Sequence, residues 1–191
     1  KETTQKIAGR IVEWIRNIFS RKGADAPGAT LRITLSQPVF TYNGNVQMPA
    51  VESVRAGDMI LDRDEYTVSY SDDNSRNAGK YTVTVTAGEG KQIVSGTAGY
   101  TIEEADITAV DAGTLSFAYD GRIHKPTVRS VKAGLLKLRS SDYNVVYLNR
   151  NSAKAGKYFA KIKGKGNFCG AVLVAYTIGK AVNTLAVHGK T

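Results

Sequence analysis

The chain has 191 residues, 42% of them apolar, and a formal net charge of +9. That length holds one large domain or two of ordinary size. A single cysteine, Cys169, excludes an internal disulfide and a cysteine-cluster metal site, and no apolar run is long enough to span a bilayer as a helix.

The charge is unevenly placed. Residues 40–103 carry five Lys/Arg against nine Asp/Glu, a net of −4, whereas residues 117–179 carry twelve against two, a net of +10. An acidic stretch therefore precedes a strongly basic one, a split that the overall charge hides. No signal peptide is legible at the start of the sequence, which leaves the compartment open.

Residues 3–22 read as an amphipathic α-helix. Ile7, Ile11, Trp14, Ile15, Ile18 and Phe19 fall on one face at helical spacing, opposite Lys6, Arg10, Glu13 and Arg16. Arg21, Lys22 and then Gly23 suit a helix C-terminus. Such a stripe must be covered. Packing on the β module that follows, or on an upstream domain, is the plain expectation; contact with a membrane surface or a helical self-association seam are the alternatives. Residues 24–30, with Pro27-Gly28, read as a linker.

From Leu31 the apolar period falls from 3.6 to 2, and short strands separated by Gly, Asn and Asp follow to the end. They come in two copies. Asn74-Ser75-Arg76-Asn77-Ala78-Gly79-Lys80-Tyr81 returns as Asn151-Ser152-Ala153-Lys154-Ala155-Gly156-Lys157-Tyr158. At the same offset of 77, Phe40 meets Phe117, Tyr42 meets Tyr119, Pro49 meets Pro126, and Tyr66, Val68 and Tyr70 meet Tyr143, Val145 and Tyr147. One residue is then lost, and Tyr100 and Ile102 meet Tyr176 and Ile178. A unit of that length is too long for a solenoid repeat and suits a small β-sandwich.

About seven strands are predicted in each unit. They lie near 31–35, 38–42, 47–54, 58–62, 66–71, 80–87 and 97–102 in the first, and near 107–110, 115–119, 126–132, 135–139, 143–148, 157–163 and 171–178 in the second. Asn43-Gly44 and Asp120-Gly121 are tight hairpin signals. Tyr81 and Tyr158, each just after an Ala-Gly-Lys that includes Gly79 or Gly156, predict a tyrosine corner, its hydroxyl bonded back to the preceding loop. If one blueprint was copied, Phe40 and Phe117, and Tyr81 and Tyr158, must have equivalent surroundings.

The pattern F-x-Y-[ND]-G, then Pro, [DE]-Y-x-V-x-Y, N-x(3)-A-G-K-Y and a closing Y-T-I resembles the bacterial Ig-like repeats of large surface proteins from Gram-positive gut bacteria. Gly164-Lys165-Gly166-Asn167-Phe168-Cys169-Gly170 looks like that family's glycine-asparagine hairpin, from which the first unit departs at Glu89-Gly90-Lys91-Gln92, so its turn should differ. The resemblance covers about 35–180, with 181–191 similar to the lead-in of a further repeat. It does not include the helix; with the helix read from its own periodicity, the expected chain is all-β, with an amphipathic helix and linker (1–28), an acidic Ig-like β-sandwich (29–104) and a basic one (105–180). The resemblance further implies extracellular, cell-surface or cell-wall modules that act as spacers or adhesive surfaces, and it brings no catalytic residues and no cofactor.

Candidate sites follow from the charge. Lys161 and Lys163 alternate on one strand face with Lys165 at its turn, and Arg122 and Lys125 add to the second unit. These five residues are the candidate ligand-binding set, for wall polymers, acidic glycans or anionic headgroups. The plain expectation for them is a solvated face whose lysines protect strand edges. No nucleic acid is expected, because no stacking aromatics are interleaved with these lysines. Cys169 with His124 is a weak candidate for nucleophile and base, since the first unit has no such pair. Asp62, Asp64, Glu65, Asp72 and Asp73 form an acidic edge with no calcium-loop spacing. His188-Gly189-Lys190-Thr191 lacks the first glycine of a phosphate loop, and no lysine has the apolar setting of a Lys–Asn isopeptide bond. The expected function is a non-catalytic structural or adhesive module. The alternatives are an anionic-glycan binder through the basic unit and an accessory domain of a larger secreted enzyme.

Overall fold

A computed structural model describes residues 30–181 apart from Gly90, Lys91 and Arg150, together with Gly9, Val12, Glu13, Ile15 and Arg16. The chain is predominantly β, with several sheets. It divides into two compact units, Lys1–Glu103 and Glu104–Thr191.

In the first unit, β1 (Leu31–Leu35) pairs antiparallel with β3 (Val51–Ala56), which carries β4 (Met59–Ile60) on its other edge. A second sheet runs in the order β2 (Val39–Thr41), β7 (Gln92–Glu103), β6 (Gly79–Glu89), β5 (Tyr66–Tyr70). Period-2 alternation sends one set of side chains inward from each sheet. Leu31, Val54 and Ala56 of the first sheet and Val85, Ala87 and Val94 of the second join one buried cluster. Ile15 belongs to the same cluster with 0% exposure, and Val12 packs against it. The five described residues of the predicted N-terminal helix are helical where assigned. The rest of that stretch, and the predicted linker before Thr30, lie outside the described residues.

Strand β1 crosses close over β7. A Cβ on Gly96 would sit 2.6 Å from the Leu31 carbonyl oxygen, so no side chain fits there without displacing backbone.

The second unit repeats the plan. The sheet β12 (Leu136–Lys137), β11 (Val128–Ala133), β9 (Ala109–Ala112) accompanies a sheet ordered β10 (Ser116–Phe117), β16 (Ala171–Ile178), β14 (Gly156–Gly164), β13 (Tyr143–Tyr147). Val131, Ala133, Ala160, Ile162, Tyr176 and Ile178 are buried. In both units the first strand of the larger sheet runs parallel to the last, β2 to β7 and β10 to β16.

Four expectations are corrected. Asn43-Gly44 and Asp120-Gly121 do not close tight hairpins, because the strands on either side belong to different sheets. Both glycines have positive φ, 81° and 78°, and the Asn43 and Asp120 side chains accept the N–H of Asn45 and Arg122, so each makes a side-chain-closed turn at a crossover. The strands read at 58–62 and 135–139 shorten to β4 and β12. The chain then winds into one-turn 3-10 helices at Arg63–Glu65 and Ser140–Asp142, where Glu65 and Asp142 bond back to the N–H of Asp62 and Arg139. The strand read at 107–110 is displaced to β9, and a separate β8 (Ala105–Asp106) precedes it.

The fourth concerns the lost residue. In the first unit β6 and β7 pair as one long hairpin out to Glu89 and Gln92, longer than the strands read there. In the second, β14 stops at Gly164, and a separate β15 (Phe168–Cys169) pairs parallel with β8. Gly164 is required there, since a Cβ would lie 2.8 Å from the Phe168 carbonyl oxygen. The tail from 182, with His188, lies outside the described residues.

Candidate functional site

The repeated stretch builds the same hydroxyl frame twice. Tyr81 Oη donates to the Asn77 carbonyl at 2.8 Å, and Tyr158 Oη to the Lys154 carbonyl at 2.7 Å, four residues back in each case. These are tyrosine corners: the ring packs while the hydroxyl satisfies a loop carbonyl. Each ring stacks on the buried tyrosine of the last strand, Tyr81 on Tyr100 at 5.3 Å and Tyr158 on Tyr176 at 5.6 Å. Phe40 and Phe117 meet those same rings edge-on, both at 6.3 Å. Tyr70 and Tyr147 each donate to a proline carbonyl, Pro49 and Pro126, both at 2.7 Å. The contacts of the paired aromatics with the buried tyrosines are thus equivalent, and Phe117 has a stacked neighbour in His124 where the first unit has Gln47.

Beneath the frame lies a feature that the sequence reading missed. Ser75 and Ser152 are fully buried. Ser75 Oγ donates to the Gln47 carbonyl at 3.0 Å, which leaves Tyr100 as donor across the 2.7 Å contact to that oxygen. Ser152 Oγ donates to the His124 carbonyl at 2.7 Å and accepts from Tyr176 at 3.1 Å. The loop carrying each serine is thereby tied to the loop after β2 or β10 and to the core. Burial pushes the Tyr100 hydroxyl above its usual range, keeping it a donor. The signal was present: both serines stand in the repeated motif at the common offset.

Gly79 and Gly156 lie against the corner rings. A Cβ there would meet Tyr81 Cε2 or Tyr158 Cε2 at 3.6 Å, an ordinary contact, so the motif's glycine is covered by the tyrosine rather than demanded by lack of space.

The candidate binding residues occupy three places in the second unit. Arg122 and Lys125 are exposed on the loop between β10 and β11, where the first unit has Asn45 and Met48. Lys125 Nζ stands 5.0 Å over the Tyr147 ring. Between them His124 stacks on Phe117 at 4.9 Å, and its Nε2 lies 2.7 Å from Asp120 Oδ1. The Arg122 N–H, then His124, hold the Asp120 carboxyl below its usual range. Lys161 and Lys163 project outward from the middle of β14, opposite buried Ala160 and Ile162. Lys165 lies beyond the end of β14, its N–H bonded to the Asp142 carbonyl. The end of β13 carrying Tyr147 and the end beside Lys165 are about 13 Å apart along the strand. The five cations therefore do not make one cluster.

Cys169 and His124 do not form a catalytic pair. Cys169 sits on β15 with Sγ 3.2 Å from Asp106 Oδ1 and 3.7 Å from the Glu104 carbonyl, while His124 is bound to Asp120. Burial first, and then the Asp106 carboxylate, push the thiol up, opposite to what a nucleophilic cysteine needs. In the acidic edge of the first unit, Glu65 is buried and spends one oxygen on the Asp62 N–H. Among the described residues no three His, Cys, Asp or Glu side chains come together as metal ligands, no helix is long and apolar enough to cross a membrane, and every lysine is exposed.

No protein-family model matches the chain, and no curated protein matches it.

Proposed function

We propose that this chain is a non-catalytic structural or adhesive module of a bacterial surface protein. It would consist of two tandem Ig-like β-sandwiches that space or present binding surfaces outside the cell. The observation that carries the reading is the duplicated frame: Tyr81, Tyr100 and Ser75 in one unit, and Tyr158, Tyr176 and Ser152 in the other, make the same bonds. Side chains capable of chemistry do not repeat in the same way. His124 stands where the first unit has Gln47, and Cys169 lies in a hairpin that the first unit builds differently. What was duplicated is thus the scaffold, with surfaces free to diverge. The burial of Ile15 in the first core favours a helix that packs on the first module rather than on a membrane. Antibody labelling of intact cells that produce the protein tests the location. Labelling without permeabilisation is expected, and labelling only after lysis would overturn it.

A second reading is favoured by one observation. The loop that is neutral in the first unit, at Asn45 and Met48, becomes cationic at Arg122 and Lys125 in the second. Together with the +10 charge of residues 117–179, this supports binding of anionic polymers or lipid headgroups by the second unit. Retention on a heparin column at low salt, reduced in Arg122→Asn/Lys125→Met, is the expected result.

A further inference from the structure

The two units offer an internal comparison of the same sheet face. In the first unit, the outward residues of β5, β6 and β7 line up as Ser69, Thr84 and Thr97 in one row and Thr67, Thr86 and Ser95 in the next. That face is a field of hydroxyls. In the second unit the matching rows are Val146, Lys161 and Leu173, and Asn144, Lys163 and Ala171. A third row sets Leu148 beside Phe159 and Ala175, where the first unit has Ser71, Thr82 and Gly99. Val146, Leu148 and Leu173 are 51%, 53% and 59% exposed. Lys157 Nζ lies 5.5 Å over the Phe159 ring, so a third cation borders the apolar centre. Among the described residues no carboxylate pairs with these lysines.

The fold does not require this change, because the first unit makes the same register with serine and threonine. Three strands about 4.8 Å apart and three rows about 6.7 Å apart give a face of about 15 by 20 Å. That area, lysines and Asn144 included, is well below the area of a permanent interface.

We propose that this face of the second unit, centred on Val146, Lys161 and Leu173, docks an acidic polypeptide segment whose apolar side chains are flanked by carboxylates. Charge selects this occupant. A second copy laid face to face would set lysines against lysines, which is strongly unfavourable. A polysaccharide would place hydroxyls over aliphatic side chains that return no hydrogen bonds. A membrane would need apolar groups reaching about 5–10 Å into the headgroups, and a flat strand face lacks that reach. The proposal rests on the reading of the second unit as an anion-binding module and narrows it to a polypeptide ligand at a stated face.

The test uses the full chain and three probes. They are a labelled 14-residue peptide with a leucine stripe flanked by glutamates, heparin, and phosphatidylglycerol vesicles. The peptide is expected to bind saturably, with affinity falling at least about tenfold as salt rises from about 50 to 500 mM. Binding should be lost in Val146→Ser/Leu173→Thr and reduced in Lys161→Thr/Lys163→Thr, variants that install the first unit's own residues. Lys132→Ala/Lys137→Ala, on the other sheet, should change it less than twofold. A peptide with glutamine for glutamate should bind at least about tenfold more weakly. If heparin binds and the peptide does not, the proposal fails while the anion-binding reading stands. If no probe binds at low salt, both fail. Binding to vesicles alone, or peptide binding unchanged in both face variants, also overturns the proposal. Should the apolar variant not fold, the lysine variant decides.

Discussion

Tyr100 Oη lies 2.7 Å from Ser75 Oγ, and the same pair recurs as Tyr176 and Ser152 at 3.1 Å. In each unit the serine hydroxyl spends its proton on a loop carbonyl, so it meets the tyrosine as an acceptor. Removing the serine strands two buried groups at once. Ser75→Ala is therefore expected to cost about 1–3 kcal/mol, and Tyr100→Phe about 1 kcal/mol. The double variant should cost less than the sum, because the partners are in contact. Denaturant unfolding of the full chain measures all three, and strict additivity would show that the pair is not a unit.

Three strand glycines should respond differently to alanine. Gly96→Ala drives a methyl into the Leu31 carbonyl at 2.6 Å and is expected to destabilise by about 1–3 kcal/mol. Gly79→Ala and Gly156→Ala meet only a tyrosine ring at 3.6 Å and are expected to fall within about 0.5 kcal/mol of the parent, helped by a less flexible unfolded chain. Thermal unfolding of the three variants tests the contrast. Equal losses would remove the steric argument.

Asp120 titrates below its ordinary value of 3.8, first because it accepts the Arg122 N–H and second because of His124. A carboxyl depressed in the folded state contributes stability that is present above the unfolded value and is lost as pH falls through the folded one. The window thus lies below about pH 4. His124→Gln, the residue at the matching position of the first unit, should raise the Asp120 midpoint part of the way and leave the backbone contribution in place. Carbon-detected NMR titration follows it directly. No movement would mean that the imidazole contributes nothing.

Cys169 is held above the usual thiol value of 9.0 by burial and by the Asp106 carboxylate. Alkylation by iodoacetamide at pH 7.5 should therefore be slower than that of a free thiol, and should climb through and beyond pH 9. Asp106→Asn removes the anion and should speed the reaction at neutral pH. A rate that matches glutathione would contradict the placement of Sγ.

The sequence made the repeat legible because the residues that build each interior stand at an offset of 77, or of 76 after the lost residue. Phe40 with Phe117 and Tyr81 with Tyr158 are large and invite comparison. Ser75 and Ser152 stood in the same alignment, yet a serine in an Asn-Ser loop reads as solvated, and only its three-dimensional neighbours show it buried. The Asn-Gly and Asp-Gly signals fixed where the chain turns but not which strands it joins, since a positive-φ glycine serves a crossover as well as a hairpin. The outward lysines of β14 were legible from alternation. The apolar rows beside them were not, because Val146 and Leu173 are distant in sequence and meet only through strand register.

Each unit closes with its early strand laid alongside its last in the same direction: Val39 beside Thr101 and Thr41 beside Glu103, Ser116 beside Thr177 and Phe117 beside Ile178. Once the strands before the early one (β1, or β8 and β9) have come away, a pull on the two ends of such a unit drags these strands lengthwise past each other. In the first unit the bonds from Thr101 to Pro38 and Tyr42 to Glu103, and in the second those from Thr177 to Leu115 and Gly179 to Phe117, then share their own unit's load at once instead of opening one by one like a zip. Rupture under tension is set by how fast that joint gives way, not by the equilibrium balance of folded and unfolded chain. A tether built from these units would stay short under strain.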